Sequence, residues 1–124
     1  MRWLLHGPMT SAVSDALVRH GHKASSMLDA GLPPEADPVT VLEAARQGQL
    51  DVLTTDGKLA EAPFLAPESA PFSRTIVYLQ LEGGDVEQDD AVDRLFDRYK
   101  RLSPGRLYTV TATRVKIRQL PARP

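Results

Sequence analysis

The chain has 124 residues, no cysteine and a net charge of −1 at neutral pH. The absence of cysteine excludes disulfide bonds and thiolate metal sites as supports of the fold. The net charge argues against a generally basic nucleic-acid binder. A domain of this size buries about two-thirds of the surface that its unfolded chain exposes, so residues 1–124 are predicted to form a single domain. No apolar run approaches the roughly 20 residues that span a bilayer, and residues 1–5 do not start a signal peptide, so we expect a cytoplasmic protein without membrane contact.

The first half of the chain alternates between short apolar runs and stretches in which apolar residues recur at helical spacing. Glycine, proline and capping residues separate them, as at the ends of helices and strands. In chain order we predict a strand over residues 2–5, a helix capped by Thr10 or Ser11 and stopped by Gly21, a strand over residues 23–28, a loop over residues 29–37, a helix that starts at Asp37-Pro38 and ends near Gly48, and a strand over residues 50–53.

The second half contains a proline-rich stretch, a long amphipathic helix and two terminal strands. Residues 63–72 contain three prolines and no periodicity, which predicts an extended surface loop. An apolar stripe that ends at Leu102 predicts the long helix. The strands are predicted over residues 74–81, 107–111 and 115–120, the last two forming a hairpin.

Alternation of strands and helices is typical of a parallel sheet joined by right-handed crossovers. We therefore predict an α/β fold, a three-layer α/β/α sandwich with a mainly parallel central sheet and a C-terminal β-hairpin. In such sheets the ligand crevice lies at the carboxyl ends of the strands. His6-Gly7 follows the first strand, residues 55–58 follow the third, and Asp37 begins a helix that starts at the same edge.

Charge is distributed unevenly. An acidic stretch runs from Glu82 to Asp93, and the C-terminal quarter, as far as Arg123, is basic. In the last predicted strand Arg114, Lys116 and Arg118 alternate with apolar residues. These cations suit RNA phosphates or an acidic segment of a partner, but they are also typical of a mixed solvated surface and of strands protected against edge-to-edge pairing.

The order of several short motifs resembles small bacterial PIN-like proteins, many of which are nuclease-like members of toxin–antitoxin pairs. The motifs are a Leu-Leu strand, His20-Gly21-His22 at a helix end, the Asp37-Pro38 helix start, residues 45–48 and Val52-Leu53-Thr54-Thr55-Asp56. The Ile76-Val77-Tyr78 strand, the long fourth helix and a closing Val115-Lys116-Ile117-Arg118 strand agree with the same family. The resemblance covers nearly the whole chain, with its sharpest motifs in residues 1–60.

The resemblance implies a cluster of carboxylates that holds Mg²⁺ or Mn²⁺ for hydrolysis of RNA. Asp56 and Asp37 match the acidic positions of the family. The chain departs from the pattern at His6, which with Gly7 stands where an acidic pair is usual, and at Lys58, which replaces a further acid. Both departures remove negative charge from the metal position.

Two hypotheses follow. One is a metal-dependent ribonuclease with impaired or lost catalysis, in which Asp37, Asp56 and His6 are catalytic and metal-ligating and Lys58 contacts phosphate. The other is a non-catalytic module that engages a protein or nucleic acid through its basic C-terminal region. RNA, an antitoxin-like protein and a second copy of the chain are the partners to test.

The same residues also fit purely structural roles. Asp37 before Pro38 has the chemistry of a helix cap, and Asp56 before Gly57 that of a turn former or cap. His6 at a strand end is equally explained as a hydrogen-bonded side chain, and His20 and His22 at a helix end suit the helix dipole.

Overall fold

A computed structural model describes residues 1–81 and 84–121. Glu82 and Arg123, two of the charges considered above, lie outside the described residues. In chain order the elements are β1 (Arg2–His6), α1 (Ser11–Arg19), β2 (Lys23–Ser25), α2 (Pro38–Gly48), β3 (Asp51–Thr54), α3 (Gly57–Leu65), β4 (Ile76–Leu79), α4 (Asp85–Arg98), β5 (Arg106–Val110) and β6 (Val115–Gln119).

The strands form one sheet in the order β2-β1-β3-β4-β5-β6. The first five strands in this order are parallel to their neighbours, and β6 pairs with β5 in antiparallel fashion. The predicted α/β class, the mainly parallel sheet and the C-terminal hairpin are therefore confirmed.

Helices cover both faces of the sheet. Side chains of α1 and α4 pack on the face that carries Trp3, and side chains of α2 and α3 pack on the face that carries Leu4. Successive residues of a strand point to opposite faces, so β1, β3, β4 and β5 each supply both cores. The result is the predicted three-layer sandwich.

The crossovers do not all share one hand. α1 leads from β1 to β2, and α2 leads back past β1 to β3 on the opposite face, so these two crossovers have the same hand. α3 continues in the direction of α2 on the same face and keeps that hand. The β4–α4–β5 unit also continues in that direction but places its helix on the other face, so its hand is opposite, a rarity among parallel units.

The position of α4 has a consequence for the α2–α3 face of the sheet. Because α4 packs beside α1, α2 and α3 are the helices of the described chain that cover the α2–α3 face. At the carboxyl edge of the parallel strands, the ends of β4 and β5 and the start of the antiparallel β6 can therefore be reached from that side.

The surface loop predicted over residues 63–72 is wrong at its start and in the exposure of two residues, whereas residues 66–72 do lack helix and strand. Residues 63–65 belong to α3, with Pro63 inside the helix, and Ala70 and Phe72 are buried in the core under α2 and α3. The prolines interrupt the apolar periodicity, but the chain still places a phenyl ring against the sheet. The strand predicted over residues 23–28 is also shorter, since β2 ends at Ser25.

Candidate functional site

The carboxyl edge of the sheet has a switch point between β1 and β3. From β1 the chain moves to β2 on one side, and it returns to β3 on the other side. Crevices at such points are the usual ligand sites of open α/β sheets. His6 ends β1, and Thr55 and Asp56 follow β3, so both predicted segments lie at this switch point.

A row of polar side chains runs across the sheet from this point. Register pairs His6 with Thr54, Thr54 with Tyr78, Tyr78 with Thr109 and Thr109 with Lys116. We call these five residues the polar row.

All members of the polar row lie on the α2–α3 face. In β1, β3, β4 and β5 the residue two positions earlier belongs to the core on that face, and side chains two apart in a strand share a face. These earlier residues are Leu4, Val52, Ile76 and Leu107. Exposure rises along the row from buried Thr54, through half-buried Tyr78 and Thr109, to exposed Lys116.

His6 is the buried end of the row, with 7% of its surface exposed. Its Nδ1 lies 2.8 Å from the hydroxyl oxygen of Thr54. Burial lowers the pKa of the imidazole, and the nearby Asp56 carboxylate partly offsets that effect. The structure thus brings together His6 and Asp56, two of the predicted site residues.

The turn after β1 is held against the segment after β3. Gly7 has a φ of +92°, a conformation that other residues rarely adopt. A Cβ at Gly7 would collide with the Thr55 hydroxyl. The backbone N–H of Thr55 donates to the His6 carbonyl at 3.1 Å, and the Thr55 hydroxyl donates to the Pro8 carbonyl at 3.1 Å. These contacts fix the backbone at the switch point.

Asp56 caps α3. Its carboxylate accepts the backbone N–H of Lys58 at 2.9 Å, and its own N–H donates to the Thr54 hydroxyl oxygen at 2.9 Å. The structural role foreseen for Asp56 is therefore present, at the place where a site acid was predicted. The side chain of Lys58 is exposed at the same helix start.

Asp37 caps α2 in the same way. Its carboxylate accepts the backbone N–H of Thr40 at 2.8 Å, and this hydrogen bond lowers the pKa of the carboxyl group. Within residues 1–81 and 84–121 no hydrogen bond or ion pair joins Asp37 to His6, Asp56 or Lys58. The contacts of Asp37 are those of its own helix.

The donor set at the crevice is a poor match for Mg²⁺ or Mn²⁺. Among the described residues no three His, Cys, Asp or Glu side chains are grouped as a cation site. His6 and Asp56 are two candidate ligands, and the Asp56 carboxylate already accepts a helix N–H. Hard divalent cations are held by several oxygen ligands, which these residues do not supply.

A cleft of about 720 Å³ opens at the exposed end of the polar row. Thr55, Tyr78 and Lys116 line it, together with Glu87 of the first turn of α4. The hydroxyl of Tyr78 reaches the start of α3, where a Cβ built on Gly57 would lie 3.0 Å from it. Sequence reasoning missed Tyr78, although its position in a predicted strand next to β3 placed it near the same edge.

The three predicted nucleic-acid contacts of the hairpin differ in their surroundings. The Arg118 guanidinium lies 3.6 Å from the centre of the Phe64 ring and pairs with Glu61 at 3.2 Å. Lys116 lines the cleft, and Arg114 is exposed at the turn before β6. Of the three, Lys116 is therefore the cation that lines the cleft, whereas Arg118 is engaged with α3.

Comparison with other proteins does not assign the chain to a family. No family model, curated protein or solved structure matches it significantly. The PIN-like resemblance therefore stays a prediction that depends on the motifs and on the order of the elements. In the described part of the chain, none of the helices has the length and apolar character that crossing a membrane requires.

Proposed function

We propose that the protein is a PIN-like, nuclease-type domain that binds RNA along the polar row and in which metal-dependent cleavage is impaired or lost. The observation that carries this proposal is the row itself, which joins the switch point to the cleft on one face of the sheet.

The dimensions of the row favour an extended ligand. Neighbouring strands lie about 4.8 Å apart, so the four steps from His6 to Lys116 span roughly 19 Å. A single small molecule would occupy only part of that length, whereas a single-stranded nucleic acid could follow it across the strands.

The chemistry along the row suits single-stranded RNA. Lys58 is an exposed cation at the start of α3, and Lys116 is an exposed cation that lines the cleft. Neither makes an ion pair within the described chain. Tyr78 is half-buried between them and supplies an aromatic surface for a base. Backbone phosphates over cations and bases against aromatic rings are the usual basis of sequence-tolerant single-strand binding.

The two acids predicted to hold a metal support the second part of the proposal. Asp56 caps α3, and Asp37 caps α2 without a described link to the other predicted ligands. Lys58 adds a positive charge beside Asp56. A metal ion would meet few free oxygen ligands and a nearby ammonium group, which together weaken its binding.

RNA binding can be tested by fluorescence anisotropy with a short labelled single-stranded RNA at several salt concentrations. We expect affinity to fall with salt, and Lys116→Ala to weaken binding and flatten that dependence. Lys100→Ala is the matched control, because Lys100 is also an exposed lysine but lines a pocket with His20 and Arg101 away from the row. Equal loss in both variants, or no binding by the unaltered protein, would refute the row as the RNA site.

Cleavage is tested separately by incubating the same RNA with Mg²⁺ or Mn²⁺. We expect the unaltered protein and Asp56→Asn to leave it equally intact. Cleavage that requires a metal and disappears in Asp56→Asn would instead establish an active ribonuclease. If RNA does not bind at all, the alternative is a module that engages a protein partner.

A further inference from the structure

His6 and Thr54 form part of a hydrogen-bond chain whose direction can be worked out. The backbone N–H of Asp56 donates to the Thr54 hydroxyl oxygen at 2.9 Å. The same oxygen lies 2.8 Å from Nδ1 of His6. Thr54 is fully buried, with 0% of its surface exposed.

The buried Thr54 hydroxyl needs an acceptor for its own proton, because buried polar groups are almost always hydrogen-bonded. Within residues 1–81 and 84–121, His6 Nδ1 is the acceptor that lies within hydrogen-bond distance of this hydroxyl. Thr54 therefore donates to Nδ1, which must be unprotonated. A neutral imidazole that accepts at Nδ1 carries its proton on Nε2.

The other ring nitrogen, Nε2, is not fully buried. His6 Nε2 makes no hydrogen bond within the described chain. Among the described residues, Arg74 Nε is the fully buried side-chain nitrogen or oxygen that lacks a hydrogen-bond partner. Because Nε2 of His6 also lacks a partner but is not such an atom, it is not completely buried. His6 ends β1, and its ring lies against the Thr54 hydroxyl that also accepts the Asp56 N–H, so Nε2 lies in the region where β1 meets the start of α3.

We propose that Thr54 holds His6 in the Nε2–H form and that His6 donates this proton in a hydrogen bond to a phosphate oxygen of bound RNA. This inference rests on the proposed function for the identity of its ligand, but not for the tautomer. A protonated Nε2 has no lone pair for a metal ion or for taking up a substrate proton. His6 is therefore a binding residue, and the roles of metal ligand and general base are not available to Nε2 in this form.

The tautomer is tested first, on the full chain without RNA. Nitrogen-15 NMR of the imidazole ring should show Nδ1 as the unprotonated nitrogen and Nε2 as the protonated one. Thr54→Val removes the hydroxyl that donates to Nδ1, so both neutral tautomers of His6 should then be populated. Thr54→Ser keeps a hydroxyl and should keep the proton on Nε2. Protonation of Nδ1 in the unaltered protein would overturn the inference.

The donor role is tested with two substitutions of His6. The amide N–H of glutamine takes the place of Nε2–H, so His6→Gln should bind the short RNA within about threefold of the unaltered protein. His6→Ala should lose about tenfold, as expected when a hydrogen bond to a charged group is removed. Equal losses in both variants, with thermal melting showing both folded, would overturn the donor role.

Inorganic phosphate separates this inference from the proposed function. We expect the Nε2–H resonance to shift on titration with either phosphate or the RNA. A shift with phosphate and no affinity for RNA supports the donor role while refuting RNA as the ligand. RNA binding that leaves Nε2–H unchanged supports the proposed function and overturns the role of His6.

Discussion

The central carbon of the Arg118 guanidinium in β6 lies over the Phe64 ring of α3, 3.6 Å from the ring centre. Its Nη1 also lies 3.2 Å from each carboxylate oxygen of Glu61. The last strand of the sheet is thereby joined to a helix on the α2–α3 face. Arg118, which was predicted to contact RNA, thus has a structural role at the edge of the sheet.

Replacing Arg118 should reduce stability more than it reduces RNA affinity. Arg118→Ala removes a partly exposed cation–π contact and an exposed ion pair, together worth about 1 kcal/mol of unfolding free energy. Urea unfolding measures this loss. Arg114→Ala is the matched control, because Arg114 is an exposed arginine of the same hairpin, and it should leave the midpoint unchanged. A larger loss of RNA affinity in Arg118→Ala than in Lys116→Ala would contradict the assignment.

Phe72 should behave as a core residue although it lies in a proline-rich segment. It is 3% exposed and packs in the core that α2 and α3 cover, so Phe72→Ala should cost about 3–5 kcal/mol of unfolding free energy. Glu68→Ala, an exposed position in the same segment, should cost little. If both substitutions had similarly small effects on urea unfolding, Phe72 would not be a core residue, as the surface loop predicted from sequence requires.

Local patterns predicted the local parts of the fold. Thr10, Asp37 and Asp56 all cap helices, and each helix start was marked in the sequence by a capping side chain. These contacts join residues two or three apart, so a short stretch of sequence contains the whole interaction. Helix starts and the alternation of strands could therefore be predicted.

The polar row could not be predicted in the same way. Its members come from five strands, and their alignment depends on pairing register between segments far apart in the chain. Strand order also decides which residues meet, and the placement of α4 against the usual hand leaves one end of the row open. Thus His6 and Asp56 were identified from sequence, whereas Tyr78 was not.

Stability should fall as the pH drops below about 6.5, the usual pKa of histidine. His22 accepts the Trp3 indole N–H at Nδ1 at 3.3 Å, and burial lowers its pKa, as burial also does for His6. The unfolded chain therefore binds protons at these sites before the folded chain does. The contribution of these two histidines to stability is complete above their unfolded pKa, and it is lost as the pH falls toward their lower folded pKa values.

Urea unfolding between pH 8 and pH 5 measures this dependence. His22→Asn supplies an amide oxygen near the position of Nδ1 and does not titrate, so its stability should depend less steeply on pH. His20→Asn is the control, since His20 lies at the same helix end but its ring hydrogen-bonds Asp93, whereas the Trp3 indole donates to His22. A pH slope in His22→Asn as steep as that of the unaltered protein would show that His22 does not contribute.

Gly57 and Tyr78 should be coupled at the start of α3. A Cβ at Gly57 would lie 3.0 Å from the Tyr78 hydroxyl, tighter than ordinary van der Waals contact, so Gly57→Ala should displace the tyrosine and weaken RNA binding. Gly57 does not have a positive φ, so alanine itself fits the backbone there. Removing the hydroxyl in Tyr78→Phe makes room for the added methyl group.

A double-mutant cycle separates steric coupling from independent effects, because substitutions in contact are not additive. We expect Gly57→Ala to destabilise the unaltered protein more than it destabilises Tyr78→Phe, measured by urea unfolding. RNA anisotropy on the same four proteins should show a smaller effect of Gly57→Ala in the Tyr78→Phe background. Additive losses in both measurements would mean that the Tyr78 hydroxyl does not lie against Gly57, and that the cleft has a different wall at the start of α3.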